Sequence, residues 1–251
     1  MTLFDLTGRW AMVTGANTGI GQAIAVGLAR AGADIVGVGR SIMTDTEAEV
    51  TSVGRKFVSI AADLSVPGIA STVIAKALAS GASPDVLVNN AGIIRRADAL
   101  DFTEEDWDAV LDTNLKSVFF LCQAFAKSAI SAGRGAKIIN IASLLSFQGG
   151  IRVPSYTAAK SGLAGLTKLL ANEWASKGIN VNAIAPGYVE TNNTAALRAD
   201  AERNADILKR IPAGRWARPD DMVGAAVFLA ASASNYVHGT ILPVDGGWLA
   251  R

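Results

Sequence analysis

The amino-acid sequence predicts a doubly wound α/β fold, a parallel sheet of about seven strands flanked by helices on both faces. Three observations carry that expectation. Short β-branched runs alternate with alanine-rich helical stretches from end to end. Runs such as Ile35-Val-Gly-Val38 are continuously apolar, as strands covered on both faces are. The stretches between runs are roughly ten to twenty residues long, the span of a right-handed crossover helix.

In chain order, the first strand is expected at 10–13, running into a glycine-rich turn and a helix over 19–31. The apolar run 35–38 is the second strand and Phe57–Ala61 the third, followed by an alanine-rich helix at 69–80. Val86–Asn89 is the fourth strand, before a long helix at 104–126. The fifth strand, 137–141, precedes a helix at 155–176, and the sixth, 180–184, precedes one at 220–231. Ile241–Val244 closes the sheet. Two irregular stretches remain: the segment around Gly149-Gly150, and a polar segment at 187–213 with a helical patch at 199–209. Ligands of open α/β sheets sit beyond the carboxyl ends of strands. A segment placed there acts as a substrate lid, and its plain alternative is a surface excursion.

With 251 residues and no linker or repeat, residues 1–251 read as one domain. Half of the residues are hydrophobic and 18% charged, below the roughly 25% of average soluble domains. That balance favours a large interior or a buried subunit interface. The net charge of +1 carries no electrostatic footprint for nucleic acid or an anionic membrane. Cys122 has no intrachain partner, and His238 is the single histidine, so neither a zinc site nor a disulfide is expected. A histidine-dependent hydrolase would have to use His238, in a stretch that reads as a loop. No targeting leader and no apolar run of roughly 20 residues is present, so a soluble, cytoplasmic protein is expected.

The first strand runs into Thr14-Gly-Ala-Asn-Thr-Gly-Ile-Gly21. Glycines at 15, 19 and 21 permit a tight turn and close approach of a pyrophosphate to free N–H groups at a helix start. The Gly-x-x-x-Gly-x-Gly spacing departs from the Gly-x-Gly-x-x-Gly fingerprint, and a tight turn without a ligand is the alternative. Asp63-Leu64 follows the third strand, where an acid can accept from an adenine amino group. Asn89-Asn-Ala-Gly92 ends the fourth strand with small residues suited to a flat ligand; Asn89 and Asn90 can equally tie neighbouring strands. An acid about twenty residues past the glycine turn holds the ribose of NAD, whereas arginine suits the 2′-phosphate of NADP. This chain has Gly39-Arg40-Ser41. Arg40 points to NADP or stacks on adenine, and the choice between NAD and NADP stays open.

Tyr156 and Lys160 are four apart on a helical stretch and share a face. A close ammonium group is expected to lower the phenol pKa from near 10, making Tyr156 a general acid/base. Ser143 ends the fifth strand at the same sheet edge and can polarise a substrate carbonyl. Asn114, in an apolar helix, needs polar partners and can relay protons to Lys160. Taken alone, a Tyr-x-x-x-Lys pair also reads as an exposed helical pair.

Together these motifs resemble the short-chain dehydrogenase/reductase family over essentially the whole chain. The resemblance implies a Rossmann-type sheet, the catalytic tetrad Asn114, Ser143, Tyr156 and Lys160, and a homotetramer. It implies cofactor contacts from Gly15, Asn17, Thr18, Gly19, Ile20 and Gly21 in the turn, and from Arg40, Asp63 and Leu64. Asn90, Ala91 and Gly92 follow, then Tyr156 and Lys160, with Pro186, Gly187, Val189 and Thr191 around the nicotinamide. The stretches Leu145-Ser-Phe-Gln-Gly-Gly-Ile-Arg-Val-Pro-Ser-Tyr156 and Val244-Asp-Gly-Gly-Trp-Leu-Ala-Arg251 resemble the sugar-acid branch of that family, which acts on keto-deoxy sugar acids, usually with NAD. A sugar acid needs a cation for its carboxylate and polar groups for its hydroxyls. Arg95 (with Arg96 beside it) and Arg152 are the expected anchors, and Gln148 and Asn192, with Asn193, the expected hydroxyl partners. Other activities of the same fold remain: a gluconate or polyol dehydrogenase, or a 3-oxoacyl-carrier reductase. A redox-sensing module without catalysis is a more distant alternative. Trp107, Trp174, Trp216 and Trp248 read as core or subunit-interface residues, with the 107–125 helix and the C-terminus as the expected contact faces.

Overall fold

A computed structural model describes residues 3–250; Met1 and Thr2, where the leader was sought, and Arg251, which ends the C-terminal motif, lie outside the described residues. The elements run β1 (Trp10–Thr14), α1 (Gly19–Arg30), β2 (Asp34–Gly39), α2 (Thr44–Ser52), β3 (Phe57–Ala61), α3 (Ile69–Ala79) and β4 (Val86–Asn89). Then come α4 (Glu104–Leu111), a π-helical turn (Asp112–Lys116), α5 (Ser117–Ser131), β5 (Ala136–Ile141), α6 (Pro154–Trp174) and β6 (Ile179–Pro186). The chain ends with α7 (Ala195–Ala199), α8 (Ala201–Arg210), α9 (Val223–Ala230) and β7 (Ile241–Val244). Among the described residues the strands form one seven-stranded sheet in the order β3-β2-β1-β4-β5-β6-β7. Every neighbouring pair is parallel. The order reverses between β1 and β4, which opens a crevice beyond the strand ends at that point.

Alternation along the strands sorts the core into two layers. Met12, Val36, Leu87, Ile138 and Val181 face Val73, Leu121, Phe125, Leu163 and Leu170 of α3, α5 and α6. Ala11, Val13, Ile35, Val88, Ile139 and Ile184 face Ile24, Leu28 and Leu229 of α1 and α9. Each large side chain removed from water contributes about 1.5–3 kcal/mol, so the two layers hold the strand ends in fixed register.

Three elements differ from expectation. Helix α2 was not foreseen: only Thr46 and Val50 turn inward, so it lacks an apolar stripe. The Thr46 hydroxyl donates to the Ala16 carbonyl (2.7 Å), fixing α2 beneath the glycine turn. The helix expected over 104–126 continues to Ser131 and is broken by the π turn that carries Asn114. The polar 187–213 segment adds an unforeseen α7 before the helical patch expected at 199–209, which forms as α8 and starts where the Asp200 carboxylate accepts from the Arg203 N–H (3.0 Å). No helix among the described residues is long and apolar enough to cross a membrane.

Candidate active site

The glycine turn is built against the end of β4. Gly15 and Gly19 take left-handed φ values of 65° and 59°. The Thr14 hydroxyl accepts from the N–H groups of Asn90 (3.0 Å) and Ala91 (2.9 Å). The Asn90 side chain donates back to the carbonyls of Thr14 (3.0 Å) and Gly15 (3.3 Å). A Cβ on Gly21 would run into the Gly15 carbonyl and the Asn90 amide. Asn89 donates to the Asn140 side chain (2.9 Å), so of the two readings the strand-tying one describes what both asparagine side chains do here.

Beyond this turn lies a cleft of about 670 Å³ lined by Gly15, Asn17, Arg40, Asp63, Leu64, Ala91 and Gly92. The first turn of α1 bears no acid and no side-chain cap, leaving its positive end open to an anion. Hydrogen bonds from Ser65, with help from the Arg40 charge, hold the Asp63 carboxyl below its usual range. Arg40 and Asp63 line the same cleft. Asn17 donates to the Ser41 hydroxyl (2.9 Å), tying the glycine turn to the residues after β2. A bare cradle, an open helix start and a cation at the far end fit a nicotinamide dinucleotide. Thr18 precedes α1 without capping it, and Ile20 packs into the core below. Thr191 stands over the turn, its methyl 3.4 Å from where a Gly19 Cβ would be. Val189 is buried in the core, and its carbonyl accepts from the Thr194 hydroxyl (2.7 Å). Gly187 follows Pro186 at the end of β6, where a Cβ would meet the Asp245 Cα at 2.7 Å.

Tyr156 and Lys160 rise from the first turns of α6, which Pro154 opens. Lys160 is buried, its ammonium donating to the Ile141 carbonyl (2.6 Å) and lying 5.5 Å from the Tyr156 ring centre. Burial lowers the Lys160 pKa to about 8. Burial also pushes the Tyr156 phenol up to about 12, while the Ser143 hydroxyl donating to it and the Arg96 charge pull the other way. This corrects the expectation of a phenol lowered by Lys160: the ammonium is turned to a carbonyl and over the ring, so desolvation dominates. Ser143 is held by the Leu145 N–H (3.2 Å). Asn114 is fully buried and spends both amide atoms on Ile93, accepting from its N–H (2.8 Å) and donating to its carbonyl (2.7 Å). The Asn114 side chain is thus satisfied by backbone, as its burial requires.

Ser143 and Tyr156 open into a second pocket of about 500 Å³ that Gln148, Tyr188 and Trp248 also line. Three arginines border it (Arg96, Arg203 and Arg210), and no acid does. Gln148 is where the sequence placed it, accepting from the Trp248 indole N–H (3.3 Å). Arg95, Arg152 and Asn192 stand outside this lining, although Asn193 belongs to it. Arg95 pairs with Asp106 (3.0 Å) and Arg152 with Asp98 (3.1 Å), so both cations already have acids. Neither Arg203, a polar residue of the 187–213 segment, nor Arg210 is among the substrate anchors expected from the sequence. Their spacing of seven on a helix, which places them on one face, was the available signal. Trp248 is buried within its own chain, against Tyr188 (4.8 Å between ring centres) and under the Arg210 guanidinium (4.0 Å).

Comparison with known proteins bears on this geometry. A family model described as Enoyl-(Acyl carrier protein) reductase matches residues 15–249. The chain is 60% identical to a 2-dehydro-3-deoxy-D-gluconate 5-dehydrogenase of Escherichia coli (strain K12), covering 100% of this chain and 99% of that one. A solved structure from Agrobacterium tumefaciens, provisionally named a 2-deoxy-D-gluconate 3-dehydrogenase and holding NADP, matches with a TM-score of 0.94 and 61% identity over 100% of both chains. A gluconate 5-dehydrogenase from Burkholderia cenocepacia with NADP and tartrate matches with a TM-score of 0.94 and 39% identity, over 99% of this chain and 98% of that one. With the sheet order, the glycine turn and the Ser143–Tyr156–Lys160 grouping already in place, these matches show that the chain belongs to the short-chain dehydrogenase/reductase family of NAD(P)-dependent oxidoreductases.

Proposed function

We propose that the protein interconverts hydroxyl and keto groups on a deoxy sugar acid of the 2-dehydro-3-deoxy-D-gluconate or 2-deoxy-D-gluconate class. The observation that carries this is the pocket at Tyr156, bordered by three arginines and no acid. Such a pocket favours an anion, and its size admits a six-carbon chain. The names of the relatives agree on a sugar acid and divide between carbon 5 and carbon 3 as the reacting position.

The nicotinamide, when bound, supplies the hydride in reduction and accepts it in oxidation. Ser143 holds the substrate oxygen, and Tyr156, a phenol at neutral pH, donates the proton as a keto group becomes an alcohol. Lys160 places a cation over the Tyr156 ring and would hold the ribose of a bound nicotinamide cofactor. Asn114 fixes Ile93 and hence the wall between cleft and pocket. Residues 1–251 act as one catalytic domain, and 187–213 form the substrate lid.

NADP is the proposed cofactor. Gly39 ends β2 where NAD-dependent folds place an acid, and Arg40, lining the same cleft as Asp63, suits a 2′-phosphate. A Cβ at Gly39 would meet only Asn17 (3.5 Å) and Met43 (3.8 Å), so an acid fits there. Initial rates with NADPH and NADH over a panel of keto-deoxy sugar acids test the whole reading. NADPH is expected to be favoured by at least about 10-fold in kcat/KM, and Gly39→Asp to reverse the order. Turnover of 3-oxoacyl thioesters in place of sugar acids would point to the carrier-reductase activity.

We also propose a homotetramer. Trp107, Phe120 and Leu169 on α4, α5 and α6 are 41%, 48% and 46% exposed, an apolar face suited to a second copy. Light scattering is expected to give the mass of four 25.9 kDa chains; a mass of one chain contradicts it.

A further inference from the structure

We propose that Arg203 and Arg210 of α8 clamp the substrate carboxylate. This deepens the sugar-acid reading above and rests on it.

The three arginines of the pocket are not equivalent. Arg96 is near the reacting end, since its charge acts on the Tyr156 phenol, and its guanidinium is engaged with the Asn193 carbonyl (3.0 Å). Arg203 and Arg210 enter from the lid. They are two turns apart on one face of α8, and neither makes an ion pair with an acid among the described residues. Ile207 lies between them on that face and is buried with Leu144, Trp216 and Trp248, which holds the helix down over the pocket. The Trp216 indole N–H donates to Asn204 (2.7 Å), fixing its roll. The Arg210 guanidinium sits over Trp248, 4.0 Å from the ring centre, a contact that orients it before a ligand arrives.

Of the three arginines, only the α8 pair offers two uncommitted guanidinium forks to one carboxylate. In the oxidative direction, the reacting carbon loses its hydrogen with both bonding electrons to NADP⁺. Its hydroxyl proton passes to the Tyr156 phenolate, and the C–O bond becomes a carbonyl.

Steady-state kinetics of Arg203→Ala, Arg210→Ala and Arg210→Lys test the clamp, each with the acid and with its uncharged alditol counterpart. Each alanine variant is expected to raise KM for the acid by ~10-fold or more, with kcat changed far less and KM for the alditol unmoved. Arg210→Lys, which keeps the charge but loses the fork, is expected to fall between. Unchanged KM in the α8 variants beside a rise in Arg96→Ala overturns the clamp and leaves the sugar-acid reading standing. A wild-type enzyme that takes alditol as readily as acid overturns both. Circular dichroism of each variant separates a lost clamp from a lost fold, and Arg210→Lys retains the Trp248 contact if the alanine form unfolds.

Discussion

Tyr156→Phe is expected to lower kcat by roughly 10³-fold while leaving NADPH affinity within a few-fold of wild type. The substitution removes one hydroxyl from a half-buried ring that no other functional group replaces. Ser143 keeps its bond to the Leu145 N–H and can still hold a carbonyl, but no proton donor remains. The pH dependence of the wild type follows from the same pair. The phenol, raised to about 12, is protonated across the neutral range, so ketone reduction has its acid ready and is flat there. Oxidation needs the phenolate and therefore accelerates as the pH rises. Lys160, lowered to about 8, is an ammonium below that pH and neutral above it, so reduction declines above pH 8. Stopped-flow or steady-state profiles in both directions check these slopes. A phenylalanine variant with wild-type turnover, or a reduction rate that climbs from pH 7 to 9, contradicts the assignment.

Gly21→Ala is expected to cost cofactor binding and stability together. The added carbon meets the Gly15 carbonyl and the Asn90 amide, which Thr14 fixes from the other side, so the turn itself must move. Overpacking of this kind costs about 1–3 kcal/mol. For a chain of this size, each kcal/mol lowers Tm by about 2–4 °C. Because the displaced carbonyl borders the pyrophosphate cradle, the NADPH Kd is expected to rise by at least ~10-fold. Gly224→Ala, in α9 where nothing lies within 4 Å, is the control and is expected to hold or raise Tm. Fluorescence titration and thermal melts of the two variants measure both effects, and a Gly21→Ala protein indistinguishable from wild type contradicts the cradle.

The sheet was legible because buried parallel strands write themselves as β-branched runs, and the glycine turn because few backbones other than a phosphate cradle need three glycines there. Helix α2 was not legible: two inward residues, Thr46 and Val50, leave no period to find. The π turn at Asn114 shifts the helical register by one residue, a change smaller than the scatter of apolar spacing in the 104–131 stretch. The Asn114 side chain that it carries is bound to Ile93 of another segment, a nonlocal contact. The substrate arginines show the same limit. Arg95 and Arg152 stand close in sequence to the catalytic motifs, but Asp106 and Asp98 reach them first, while Arg203 and Arg210 arrive from a helix some fifty residues beyond Tyr156. The phenol pKa turned on depth of burial, which the Tyr-x-x-x-Lys spacing does not encode.

The most direct test of the central claim is to follow deuterium from NADPH labelled at the nicotinamide C4 into the product of a keto-deoxy sugar acid. Label on the carbon that carries the new hydroxyl, and its absence with Tyr156→Phe, is the expected result. NADPH bound without transfer of label to any sugar acid in the panel would contradict the account.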